Sequence, residues 1–157
     1  MKKYLKYIPC VTTLAIMYII FSFSAQNATA SSHSSSSLFA FLIGLLPEGF
    51  FNTDKVVLIQ NASHFVRKTA HFTIYAVLGI SVFSMFKMLV EKIKPVYTVI
   101  ISTLFCLLYA ISDEIHQTFV PGRSGQISDV ILDTSGALIG IITAFLIIKI
   151  LRRRKKL

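Results

Sequence analysis

Between two long apolar segments the chain carries DEIHQTFVPGRSGQISDVILD, residues 113 to 133, with six ionisable side chains: Asp113, Glu114, His116, Arg123, Asp129 and Asp133. A charge near the centre of a bilayer costs about 2.5 to 3.5 kcal/mol on insertion scales, so such groups sit near an interface, line a polar cavity or neutralise one another. The flanks read as membrane segments because 54% of the 157 residues are hydrophobic and only 15% are charged. Mean hydropathy is +0.70, far above that of an average soluble domain.

The pattern predicts an all-α integral membrane bundle, one domain over 1–157, with four transmembrane helices and a short interfacial or re-entrant segment. The expected spans are roughly 8–24, 64–88, 96–119 and 129–150. The first is short for a crossing. Its basic start and the small residues Ala28, Thr29 and Ala30 also suit a cleavable signal peptide, although the apolar run exceeds the usual ~7 to 15 residues, and both readings stand. Residues 24–37, SAQNATASSHSSSS, read as a serine-rich outer loop, because that composition buries too little apolar surface to order itself alone. The patch 38–46 is too short to cross and ends at Pro47, which suits an interfacial or re-entrant helix or a cap on the bundle.

Lysine and arginine favour cytoplasmic ends. The N-terminal Lys2, Lys3 and Lys6, the loop Lys87, Lys92 and Lys94, and the tail Lys149, Arg152, Arg153, Arg154, Lys155 and Lys156 make twelve of the sixteen basic residues, and all fall on one side of these spans. Both termini, including the basic tail 151–157, are therefore expected on the cytoplasmic side. The net charge of +9 follows from this topology and not from a nucleic-acid surface. Cys10 and Cys106 lie in apolar runs, where a thiol acts as a small hydrophobe.

In this orientation three helix ends bring polar groups to one outer depth. Arg67, His71 and Tyr75 recur every four residues and share a helical face, with Lys68 beside it. Asp113 and Gln117 share a face of the next span while Glu114 points about 100° away, so one acid is expected to pair with Arg67 or Lys68 and the other with Arg123. Asp129, Asp133, Gly136 and Gly140 form a stripe that aligns acids with a small-residue packing face. The connection PGRSGQIS suits a tight turn, with Ser128 as a helix cap.

Two roles remain open for these groups: polar ties that fix helix register, or a binding or catalytic site. For catalysis, His71 or His116 would be the general base, Asp113 or Glu114 would orient it, and Lys68 and Arg123 would hold a phosphate. No metal set is assigned. There is no HExxH pair and neither cysteine neighbours the histidines, which disfavours zinc, while Asp113, Asp129 and Asp133 would suit a hard divalent ion. No cofactor is identified, and no P-loop, GxGxxG or GxSxG motif occurs. Four spans without an internal repeat also argue against a monomeric transporter.

The segments RKTAHFTIYAVLG (67–79) and DEIHQTFVPGRSGQISDVILDTSGALIG (113–140), with FSFSAQ after the first span, resemble the VanZ family of small bacterial membrane proteins. Lys68, His71, Tyr75, Asp113, Glu114, Gln117, Arg123, Asp129 and Asp133 occupy the positions similar to the family's polar signature. Ile74 departs from it, since many relatives carry an acid before the tyrosine. The resemblance implies a multi-span envelope protein of the bacterial plasma membrane, associated with tolerance of the glycopeptide teicoplanin. The outer polar groups, with no complete catalytic signature, point to binding of a lipid-linked cell-wall precursor, a glycopeptide or a cell-wall partner. It implies no established reaction. An intramembrane hydrolase or transferase acting on a lipid-linked envelope substrate is the alternative to a binding protein.

Overall fold

The computed structural model describes residues 6–45, 55–90 and 92–154. Among these are five helices and no strand: α1 (Ile8–Ser24), α2 (Ala28–Gly44), α3 (Lys55–Leu89), α4 (Pro95–Gln117) and α5 (Ile127–Arg154). The expectations attached to Lys2, Lys3, Pro47, Lys155 and Lys156 lie outside the described residues. Phe65–Leu89 of α3, Pro95–Gln117 and Ile127–Leu151 are long and apolar enough to cross a bilayer. A fourth span is available if α1 and Thr29–Leu38 of α2, which meet at a 110° bend, act as one broken crossing. The 17 residues of α1 rise only about 26 Å, short of the roughly 30 Å hydrocarbon core.

From Ala28 onward the serine-rich stretch is helical, not the expected loop, and only residues 25–27 connect it to α1. Asn27 caps the start of α2: its Oδ1 accepts the Ala30 N–H at 2.8 Å and the Thr29 hydroxyl at 2.9 Å. Within the helix, Ser34 and Ser35 donate to the carbonyls of Ala30 and Ser31, each at 3.0 Å. The hydroxyls are thus satisfied locally, and Ser31 is buried against the bundle. Composition alone did not reveal this, because what orders the segment is a cap and a neighbouring helix.

Helix α4 starts at Pro95, where the missing N–H costs nothing, after Lys94 in extended conformation. Helices α1 and α4 run one way and α3 and α5 the other. Thr13 at the start of α1 shares a 2.9 Å hydrogen bond with Ser81 late in α3, while Ser24 at its end reaches Asp113 late in α4. The tightest seam joins α3 and α5. A Cβ on Gly136, Gly140 or Gly79 would run into the backbone carbonyl of Phe72, Ala76 or Ala137 respectively, so the helices touch backbone to backbone there. Around this seam Tyr75, Leu78, Val82, Phe83, Cys106, Ala137 and Ile141 form the buried core, and Phe83 meets Phe145 edge to face at 6.4 Å. Leu104, Leu108, Ile139 and Ile147 remain exposed, as side chains facing lipid would be.

Candidate functional site

The ends of α1 and α4 meet the first turns of the α3 span and of α5 in a polar cluster. Its shape depends on the α4–α5 connection. Val120, Pro121, Gly122 and Arg123 make a turn closed by the Arg123 N–H on the Val120 carbonyl at 3.1 Å, with Gly122 at φ 75°. Proline second and a left-handed glycine third are what a type II turn requires. A Cβ on Gly125 would lie 2.7 Å from the Glu114 carbonyl oxygen, so the connection lies directly on the end of α4. Ser128 falls inside the first turn of α5 and not at its cap, since the helix already begins at Ile127.

Gln117 organises the end of α4. Its Nε2 donates to Asp113 Oδ2 at 3.2 Å and Glu114 Oε1 at 2.9 Å, and its Oε1 accepts from the Arg123 guanidinium at 3.1 Å. Glu114 Oε2 also accepts the Gln126 backbone N–H at 2.8 Å, and Asp113 Oδ2 accepts the Ser24 hydroxyl at 2.8 Å. A neutral amide therefore stands between the two acids and the arginine. The expected pairing of Asp113 or Glu114 with Arg67, Lys68 or Arg123 is not made among the described residues. Lys68 instead pairs with Asp129 at 2.6 Å, and the second Arg123 nitrogen donates to the Phe23 carbonyl at 3.3 Å. Burial, then the charge of Arg67, holds the Arg123 guanidinium below its ordinary value, with Asp113 and Glu114 acting in the opposite direction.

These residues enclose a polar cavity of about 290 Å³, lined by Arg67, Lys68, His71, Glu114, Gln117, Arg123, Asp129 and Asp133 among others. Beside it, between α1, α2 and α3, lies a mainly apolar slot of about 210 Å³ whose walls include Ile20, Phe23, Leu38, Val66 and Ile74. Arg67, His71 and Arg123 line both. The family model of VanZ/LLP1 matches residues 10–149, which reaches from α1 into α5 and takes in every residue of this cluster. The chain belongs to the VanZ/LLP1 family. Among curated proteins and among solved structures, none matches it.

Most of the VanZ-like signature expected from the sequence converges here, but Tyr75 of the signature and the candidate base His116 stand apart. Tyr75 is fully buried in the core, its hydroxyl unpartnered among the described residues and its ring 6.2 Å from Tyr109. His116 does not line the cavity; its ring lies 4.6 Å from Phe21 of α1. Sequence reasoning missed Ser24, the Phe23 carbonyl and the Gln126 N–H, all of which bind signature residues. The VanZ-like FSFSAQ segment, which contains both Phe23 and Ser24, was the available signal.

Proposed function

We propose that this VanZ/LLP1 protein binds the anionic headgroup of an envelope lipid, with the phosphate at the junction of the two cavities and the chain in the slot. One observation carries the reading. The residues shared by the polar cavity and the apolar slot are two arginines and a histidine, whereas Glu114, Asp129 and Asp133 line the polar cavity alone. An amphiphile places its anionic group at that kind of boundary, and guanidinium forks match phosphate oxygens. The mutual repulsion of Arg67 and Arg123 favours an anion between them. Each cavity alone is below the roughly 300 Å³ of a typical small-molecule pocket, so the ligand would use both.

By the lysine and arginine bias the site faces outward from a bacterial plasma membrane, with both termini in the cytoplasm. A lipid-linked cell-wall precursor is then the natural ligand class, and teicoplanin tolerance would follow from sequestering it or presenting it differently. The test is lipid retention by the delipidated protein, read by native mass spectrometry. A polyprenyl phosphate should be retained while the matching polyprenol is not, and Arg67→Gln with Arg123→Gln should abolish the difference. Equal retention of both lipids by the wild type refutes the proposal. In cells, a deletion strain should regain teicoplanin tolerance with the wild-type chain and not with the double variant at equal membrane level.

A hydrolase or transferase acting on the same lipid is the second reading, favoured by His71 beside Asp133 on the cavity wall. In that case His71 takes the proton from water or an acceptor hydroxyl as its oxygen bonds to phosphorus, the P–O bond to the leaving group breaks, and the imidazolium returns that proton to the departing oxygen. A product formed by the wild type, and not by His71→Gln that still binds lipid, would select this reading over binding alone.

A further inference from the structure

Asp133 is completely buried in α5, and neither of its carboxylate oxygens has a hydrogen-bond partner among the described residues. A carboxylate withdrawn from water is strongly unfavourable unless a cation or donors compensate it. The nearest candidate is His71 of α3, but its Nδ1 lies 3.6 Å from Asp133 Oδ2, beyond hydrogen-bond reach. That distance has another meaning. Two ligands each about 2.0 to 2.2 Å from a four-coordinate ion are separated by roughly 3.4 Å. Asp113 of α4 completes the arrangement: one donor atom from each of His71, Asp113 and Asp133 falls within 4.8 Å of the other two.

We propose that His71, Asp113 and Asp133 hold a divalent transition-metal ion, one ligand from each of the helices α3, α4 and α5. The ion balances the two buried carboxylates, which leaves neutral imidazole as the third ligand and the set electrically neutral. Asp113 is prepared for this role: Ser24 and Gln117 both donate to its Oδ2, which fixes the carboxylate and leaves Oδ1 without a hydrogen bond among the described residues. Because His71 and Asp133 line the polar cavity, the remaining coordination position opens towards it. One imidazole and two carboxylates suit Zn²⁺ or Mn²⁺ better than Ca²⁺, which takes six to eight oxygens. The sequence offered Asp113, Asp129 and Asp133 for a hard ion. Here Asp129 is engaged by Lys68, and His71 takes its place.

This inference goes beyond the lipid-binding reading and does not depend on it, since the ion is measured with no added lipid. Tag-free wild-type protein in detergent would be stripped with chelator, equilibrated with Zn²⁺ or Mn²⁺, desalted and analysed for metal by mass spectrometry. One ion per chain is expected in the wild type and in His33→Gln, which alters an exposed residue of α2. His71→Gln and Asp133→Asn should retain at least tenfold less. Retention of neither ion by the wild type, or equal retention in both ligand variants, overturns the site. Should those variants not fold, wild-type chain labelled with ¹⁵N-histidine and loaded with Mn²⁺ supplies the answer by electron–nuclear double resonance. Coupling to one histidine nitrogen supports the site, and no nitrogen coupling overturns it.

Discussion

The α3–α5 seam and the polar end of the same two helices are built on opposite principles. Along the seam Gly136, Gly140 and Gly79 bring backbone against backbone, leaving no room even for a methyl group. A turn or so away, the helices part around a cavity of about 290 Å³ lined by a paired lysine and, without such partners among the described residues, two arginines lacking a carboxylate and a buried carboxylate lacking a hydrogen bond. Lipid offers no hydrophobic force to hold helices together, so close packing supplies the stability of the seam. Polar groups with incomplete partners do not stabilise; they are retained where a ligand completes them. Damage to the seam should therefore remove the fold, while damage to the polar end should remove function and leave or improve stability.

The largest expected effect is at the seam. Gly140→Val places a branched side chain against the Ala76 carbonyl and should cost about 3 kcal/mol or more, because backbone must move. Loss of accumulation in the membrane, or a strongly lowered thermal midpoint in detergent, would register it. Gly44→Ala on α2 meets nothing within 4 Å and should leave both unchanged. Equal effects of the two changes would break the contrast.

Next comes the loss of the guanidiniums. Arg67→Gln and Arg123→Gln should each weaken phosphate-lipid binding by about 1.5 to 3 kcal/mol, tenfold or more, while the thermal midpoint of the lipid-free protein stays close to wild type. Titration of the purified variants separates the two quantities. Asp133→Asn sharpens the comparison in the other direction: in metal-free protein, removing a fully buried unpartnered charge should raise stability by about 1 to 3 kcal/mol. A large destabilisation of the metal-free protein would mean that Asp133 has a structural partner.

The smallest effect belongs to Lys68 and Asp129, whose side chains are 31% and 29% exposed. Replacing both with neutral isosteres should cost about 1 kcal/mol or less, diminishing with added salt. A double-mutant cycle on thermal stability at two ionic strengths measures it.

The spans of α3, α4 and α5 were legible because apolar length and the placement of Lys87, Lys92 and Lys94 at helix ends are local properties of the sequence. Periodicity also put Arg67 and His71 on one face and aligned Asp133 with Gly136 and Gly140, and these residues do gather between the helices. Pairing was less legible. Charge alone favoured ion pairs for Asp113 and Glu114, but Gln117 takes both acids and turns its carbonyl to Arg123. Such an arrangement depends on side-chain reach and on where the type II turn sets Arg123, neither of which spacing encodes. The serine-rich first half of α2 was missed for a related reason, since its order comes from the Asn27 cap and from packing across the bundle, while a short helix over the apolar second half was expected.

Whether one amphiphile bridges the polar cavity and the slot is best decided by photo-crosslinking. A polyprenyl phosphate with a diazirine in its chain would be bound to the protein in bilayer nanodiscs, and the modified residues identified by peptide mass spectrometry. Labels are expected on the slot wall, at Leu38 and Ile74, and should disappear in Arg67→Gln/Arg123→Gln. Labels spread over the lipid-facing Leu104 and Leu108 of α4, equal in wild type and variant, would contradict it.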